Sequence, residues 1–147
     1  MMMTIVAEPQ SGRLHHLGIL RFSGPDASSF LQGQVSNDTR RLSEGAPILA
    51  AYSSPQGRVL AVMHILPHST GAAAILPREL VAPTLERLRK FVLRAKVHME
   101  DAGESWYVSG QHGTQTLHSA RIAIPQGDQG YVEHEGIGVG RVGRDPD

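Results

Sequence analysis

A polar run after the short apolar patch Phe30-Leu31 contains the side chains best suited to bind a ligand. The candidate binding residues, together with a glycine-arginine pair later in the chain, are Gln32, Gln34, Asn37, Asp38, Gly57 and Arg58. Amides donate and accept hydrogen bonds and a carboxylate accepts two parallel N–H bonds, which suits the edge of a pterin or purine. The alternative is an elaborate helix C-cap, with an Asx-turn at Asn37 and Asp38 and both glutamines bonded to loop carbonyls. The residues alone leave both interpretations open.

Other patterns give no metal or catalytic site. The run Gly138 to Gly143 satisfies G-x-G-x-x-G, but only Arg144 to Asp147 follow it, so a glycine-rich tail is favoured over a dinucleotide loop, which must open a helix. The eight histidines lack the spacing of a metal site, so we predict no metal. There is no G-x-S-x-G, and we assign no catalytic residue.

The composition excludes several classes of function. The 147 residues include 14 Lys and Arg and 14 Asp and Glu, so the chain has no net charge that would attract nucleic acid or lipid. Only 5% of the residues are aromatic, so few side chains could stack on bases, and direct nucleic-acid binding is not expected. Cysteine is absent, which excludes disulfides and thiolate metal sites and predicts a cytoplasmic protein. No apolar run is long enough to span a membrane. The basic helix face from Arg87 to Lys96 either is solvated or meets a phosphate-rich partner or a polyglutamate tail.

The polar run is predicted to follow a strand and a short helix. Residues 14–22 alternate imperfectly, Pro25 suits a first helical turn, and Gly33 ends the helix. Two apolar runs, residues 48–52 and 59–66, enclose a loop with Pro55 and Gly57 and predict a hairpin, with residues 59–62 buried on both faces.

The rest of the chain predicts an α+β fold with antiparallel sheets and few helices. Residues 72–76 form a third strand, and apolar side chains recur at helical spacing from Val81 to Ala95. Further strands are predicted at residues 97–99 and 106–108, then more weakly at 121–124 and 131–132. Past Gly110 these last two segments are the only plausible strands, and the end of the chain is rich in glycine from Gly136 to Gly143.

Several blocks resemble a known family in order and spacing. They are Ser23-Gly24-Pro25-Asp26-Ala27, Phe30 to Asp38, Ala50 to Ala61, Leu88-Arg89-Lys90-Phe91-Val92 and Ala95-Lys96-Val97. From about Leu14 to Gly110 the chain resembles the N-terminal part of the YgfZ family, the folate-binding relatives of the glycine-cleavage T-protein. The resemblance implies an accessory protein that binds tetrahydrofolate and supports iron–sulfur cluster assembly or repair, and through iron–sulfur enzymes tRNA modification. It also implies a first domain, residues 1–45 and 105–147, interrupted by a ferredoxin-like insertion at residues 46–104.

The chain departs from this family's relatives at two points. Where T-proteins have paired aspartates, this chain has Ala61 and Val62, so the resemblance implies no aminomethyl transfer. The family signature K-G-C-Y-x-G-Q-E is absent, which leads us to expect a truncated form whose exposed apolar edges favour self-association. The alternatives are a residual aminomethyltransferase and a non-catalytic scaffold fragment.

Overall fold

A computed structural model describes residues 2–6, 12–111, 125, 130–134 and 136–141, with the backbone alone for residues 2–6 and 111. The strands are β1 (Met2–Val6), β2 (Leu17–Ser23), β3 (Ile48–Ser53), β4 (Val59–His68), β5 (Gly71–Pro77), β6 (His98–Asp101), β7 (Tyr107–Gln111), β8 (Tyr131–His134) and β9 (Ile137–Arg141). The helices are α1 (Ala27–Gln32), α2 (Arg40–Ser43) and α3 (Arg78–Arg89). The predicted strand at residues 121–124 lies outside the described residues.

The described residues form two antiparallel sheets and three short helices. The five-stranded sheet has the order β3-β4-β5-β2-β6, and the four-stranded sheet has the order β7-β1-β9-β8. Every described strand pair is antiparallel. The prediction of an α+β fold with antiparallel sheets and few helices is therefore confirmed.

The five-stranded sheet is packed on both faces. Phe22 of β2 belongs to the larger apolar core, together with Leu31 of α1 and Leu88 of α3. Neighbouring residues of the same strands point to the opposite face because side chains alternate along a strand. There Ile19 joins a smaller cluster with Val108 of β7. The sheet thus lies between the helices and the four-stranded sheet.

The hairpin of β3 and β4 is confirmed, but the predicted burial of residues 59–62 on both faces is wrong. Val59 and Val62 are each more than half exposed, whereas Ala61 is buried. The other sheet and its connections cover the end of β4 near Leu66 and not its beginning. One face of the hairpin therefore remains open.

The predicted long helix ends early. The last residue of α3 is Arg89, and Leu93 adopts a left-handed backbone conformation with a φ of 47° that no helix continues. Val92 and Ala95 still pack against the larger core, but they do so from the segment that follows the helix. The apolar spacing was therefore correct for burial and wrong for the length of the helix.

Residues 137–141 of the glycine-rich region form a strand rather than a tail. Ile137–Arg141 forms β9, which pairs with both β1 and β8. A Cβ at Gly138 would lie 2.6 Å from the Tyr131 hydroxyl, and one at Gly140 would lie 3.1 Å from Leu66. These glycines allow β9 to pack closely against its neighbours.

The five-stranded sheet combines two segments of the chain. β2 lies before residue 46, yet it pairs with β5 and β6, which lie between residues 46 and 104. The division at residues 45 and 104 stays a prediction. Among the described residues, no helix is long and apolar enough to cross a membrane.

Candidate functional site

The polar run lies along the outer edge of β3. It begins where α1 ends, since the backbone N–H of Val35 still donates to the carbonyl of Leu31 at 3.1 Å. Val35 then forms a bridge with Tyr52. The N–H of Ser36 donates to the Ala51 carbonyl at 3.0 Å, and the Ala51 N–H donates to the Ser36 hydroxyl at 2.9 Å. The run therefore covers the free edge of the five-stranded sheet.

Gln32 stabilises this loop through its side-chain oxygen, although the residue itself is exposed. Its Oε1 accepts a 2.7 Å hydrogen bond from the backbone N–H of Thr39, a residue with no exposed surface. The Thr39 hydroxyl lies 2.9 Å from the same oxygen and 2.8 Å from the carbonyl of Ser28, so its single proton has two alternative acceptors. The Oε1 of Gln32 is therefore a structural acceptor, and its amino group is the part that remains for a ligand.

Asn37 also holds the loop. Its Nδ2 donates to the carbonyl of Leu49 on β3 at 3.0 Å, and its Oδ1 accepts from the backbone N–H of Asp38 at 2.7 Å. The first of these bonds attaches the loop to the strand. The helix-cap alternative is thus present in part: Asp38 makes an Asx-turn, since its Oδ1 accepts from the backbone N–H of Arg40 at 3.0 Å. Gln32, however, accepts from an N–H and does not bond to a loop carbonyl.

Asp38 is engaged by its neighbour Arg40. The guanidinium Nη2 donates to one carboxylate oxygen at 2.7 Å, and Nε donates to the other at 2.9 Å. These side-chain bonds, followed by the backbone N–H of Arg40, lower the pKa of Asp38 to about 2. Asp38 is therefore ionised and paired at neutral pH.

Gln34 differs from the other three polar side chains. It is half-buried, and its amide has no hydrogen-bond partner among the described residues. The bridge between Val35 and Tyr52 sets Gln34 opposite Ser53, at the start of the hairpin loop. A free amide thus lies beside the loop that carries the other two candidate residues.

The hairpin loop holds Gly57 and Arg58 in a tight turn. The N–H of Ser54 donates to the Arg58 carbonyl at 2.8 Å, and the N–H of Gly57 donates to the Ser54 carbonyl at 2.9 Å. Gly57 has a φ of +82°, a conformation that favours glycine. Arg58 is exposed and forms no ion pair within the described part of the chain.

An open groove of about 530 Å³ adjoins this loop. Its lining residues are Ser54, Gln56, Arg58, Leu60 and Arg87. They include two cations but no carboxylate or imidazole, so the groove is suited to bind an anion rather than to transfer protons. Arg87, which comes from α3, is a site residue that the sequence reasoning missed. The helical pattern placed it on the outer face, but only the folded hairpin brings Arg58 to the same groove.

The structure brings the candidate residues to one region, in two groups. Gln34 and Arg58 are unpaired within the described residues, whereas Gln32, Asn37 and Asp38 hold the loop. Ala61, which is buried, and Val62, which is exposed, have no carboxylate to supply. Over the described residues, no three histidine, aspartate or glutamate side chains converge on a point that could hold a metal.

No protein-family model matches the chain, but individual proteins do. A tRNA-modifying protein YgfZ from Hamiltonella defensa is 33% identical over 102 residues, which cover 69% of this chain and 30% of that protein. A second YgfZ, from Pectobacterium carotovorum, is 30% identical over 115 residues, or 77% of this chain and 34% of that protein. An iron–sulfur cluster assembly factor IBA57 homolog, mitochondrial, from Cryptococcus neoformans is 33% identical over 69% of this chain and 27% of its own length.

A solved structure shares the fold. The glycine cleavage system aminomethyltransferase T from Bartonella henselae matches with a TM-score of 0.71 over 88% of this chain and 41% of its own. Its sequence identity is 11%, so the likeness concerns the fold alone. The chain spans about a third of the length of the curated relatives it matches.

Proposed function

Because the chain belongs to the YgfZ/IBA57 family over the residues that match, we propose that it binds tetrahydrofolate as an accessory protein of iron–sulfur cluster assembly or repair. Through iron–sulfur enzymes it would support tRNA modification. The proposal includes a cytoplasmic location and a ferredoxin-like insertion at residues 46–104, a range that contains β3, β4, β5, α3 and β6 in that order.

The unpaired residues of the site fit the two chemically different parts of a folate. The Gln34 amide has a donor and an acceptor to offer the edge of a pterin ring. The guanidinium of Arg58 suits the carboxylates of the glutamate tail. Leu60, which lines the groove together with Arg58, offers apolar contact to the ligand. When bound, tetrahydrofolate would supply ring nitrogens that can carry a one-carbon unit, and the chain's own residues would bind and orient it.

The observation that carries the proposal is the free Gln34 amide beside a rigid loop. Gln32 and Asn37 bond the loop to itself and to β3. A loop already ordered before binding loses little conformational freedom when the ligand arrives. Gln32, Asn37 and Asp38 therefore act as positioning residues, and Gln34 and Arg58 as contacts.

Aminomethyl transfer is not part of the proposal. The groove lining contains no carboxylate that could act on a folate nitrogen. Ala61, at one of the two relevant positions, is buried with a methyl side chain that has no proton to exchange. A residual aminomethyltransferase would instead release ammonia from a carrier-bound aminomethyl group in the presence of tetrahydrofolate.

Calorimetric titration of the whole chain with tetrahydrofolate under anaerobic conditions tests the proposal. We expect one-site binding, weakened about tenfold by Gln34→Ala because one ligand hydrogen bond is lost. Glu104→Ala serves as the control, since Glu104 is an exposed residue of the turn between β6 and β7. Absence of heat at high micromolar ligand, from a folded sample, would contradict the proposal, and equal affinities of the wild type and Gln34→Ala would remove Gln34 from the site.

The open face of the hairpin supports the expected self-association. Leu49 and Val62 are 52% and 51% exposed. Ala51 is the cross-strand partner of Val62 and lies two residues from Leu49, so all three share one face. Size-exclusion chromatography with light scattering is expected to detect oligomers that Val62→Lys dissociates. A monomeric wild type at high concentration would contradict this expectation.

A further inference from the structure

We propose that the groove between the hairpin loop and α3 binds the polyglutamate tail of the folate, a chain of γ-linked glutamates that each carry a free carboxylate. This inference rests on the proposed function and assigns to Arg87 a ligand contact beyond the pterin site. The groove is the open one of about 530 Å³ in which Arg58 of the loop and Arg87 of α3 face the same space.

The positive charge at this groove is uncompensated. Arg21, Arg40 and Arg78 each form an ion pair with a nearby carboxylate, at 3.1, 2.7 and 3.0 Å. Within the described residues, neither Arg58 nor Arg87 has such a partner. The chain as a whole is neutral, so this pair of free guanidiniums is a local feature and not the result of a basic composition.

Further cations follow at the end of α3. Residues 87–96 contain Arg87, Arg89, Lys90, Arg94 and Lys96 and no acidic residue. Lys90 is the C-cap of the helix and lies three residues after Arg87, a spacing that makes the two neighbours on a helix surface. A ligand with several carboxylates in series can thus meet a succession of cations that starts at the groove.

The position of the groove favours the tail of the same ligand over a separate anion. Gln34 lies opposite Ser53, and Ser54, the next residue, lines the groove. Gln34 and the groove therefore lie at the same end of the hairpin, and a folate bound at Gln34 can extend its glutamate end toward Arg58. Each added glutamate then extends the ligand toward Arg87 and Lys90.

Nucleic acid is the less suitable occupant. The groove lining includes no aromatic side chain on which a base could stack. Its single apolar residue, Leu60, suits the methylene groups of a glutamate chain. The exposed charges can attract phosphates in general, so nucleic acid forms one outcome of the test.

Calorimetry with tetrahydrofolate monoglutamate and tetrahydrofolate pentaglutamate tests the inference. We expect the pentaglutamate to bind about tenfold more tightly, because charge-assisted hydrogen bonds are added. Arg87→Gln is expected to remove most of this gain, because Arg87 is the groove cation assigned to the added carboxylates. Arg13→Gln, a control of equal charge change located against Tyr107, should retain the gain. Added salt should reduce the gain and affect the monoglutamate less.

The outcomes separate the two proposals. If both folates bind with equal affinity, or if Arg87→Gln and Arg13→Gln behave alike, the tail site is wrong and folate binding stands. If neither folate binds to folded protein, both proposals fall. If a ten-nucleotide oligouridylate binds more tightly than the pentaglutamate, the groove is a nucleic-acid site and the inference is overturned.

Discussion

Replacement of Gln32 by alanine tests the division of the polar run into positioning and contact residues. In the wild type, Gln32 Oε1 accepts from the Thr39 N–H at 2.7 Å, and Thr39 is completely buried. Gln32→Ala leaves that N–H without its acceptor, which costs about 1–3 kcal/mol. The Thr39 hydroxyl keeps the carbonyl of Ser28 at 2.8 Å, so it adds little to the loss.

The expected decrease in the free energy of unfolding is therefore about 2 kcal/mol, or roughly 4–8 °C in Tm for a chain of this size. Urea denaturation and thermal unfolding measure it. Gln34→Ala is the matched control, with an expected change within about 0.5 kcal/mol because its amide has no partner among the described residues. Gln32→Glu retains an acceptor oxygen and should recover most of the stability. Equal Tm values for Gln32→Ala and Gln34→Ala would refute the assignment.

Three further predictions concern stability. Arg40 lowers the folded-state pKa of Asp38 to about 2, against about 3.9 in the unfolded chain, so the ionised carboxylate stabilises the fold above pH 4. In an acid titration, the difference in free energy of unfolding between the wild type and Asp38→Asn should vanish as the pH falls to 2. Burial lowers the pKa of His64 below 6.5, so the unfolded chain binds the proton more tightly than the folded one. The urea midpoint should therefore fall as the pH drops from 7.5 to 5.5, and His64→Gln should reduce that fall. An equal fall in the variant would contradict this role of His64. Gly71→Ala would place a Cβ against the Phe22 carbonyl at a residue whose φ is +151°. Gly45 has a φ of +79°, but a Cβ there would meet no atom within 4 Å, so Gly45→Ala is expected to cost only about 1 kcal/mol. Gly71→Ala should therefore lower Tm by more than Gly45→Ala, and an equal loss would contradict the steric argument.

The sequence predicts best those elements whose signals are local. The β3–β4 hairpin and the end of α1 at Gly33 follow from apolar runs and turn residues, and the structure confirms both. By contrast, β1 and β9 were missed. Their stability depends on pairing between segments more than 100 residues apart, and neither segment has a pattern that identifies it alone.

For the candidate site, the sequence identified the region but not the role of each side chain. Gln32 and Gln34 are the same residue type two positions apart, yet one bonds to Thr39 and the other has no partner among the described residues. That difference depends on how the chain turns after α1. Arg87 joins the groove only because the hairpin folds beside α3, a contact between elements that helical spacing cannot reveal.

Nuclear magnetic resonance provides the most direct measurement of the central claim, that the β3 edge and its hairpin loop bind a reduced folate. The backbone amides of the whole, isotope-labelled chain would be titrated with tetrahydrofolate under anaerobic conditions. We predict saturable shifts at residues 33–37 and 56–58, with the amides of β6 and β7 unchanged. No shift at saturating ligand, or shifts confined to β6 and β7, would contradict the claim.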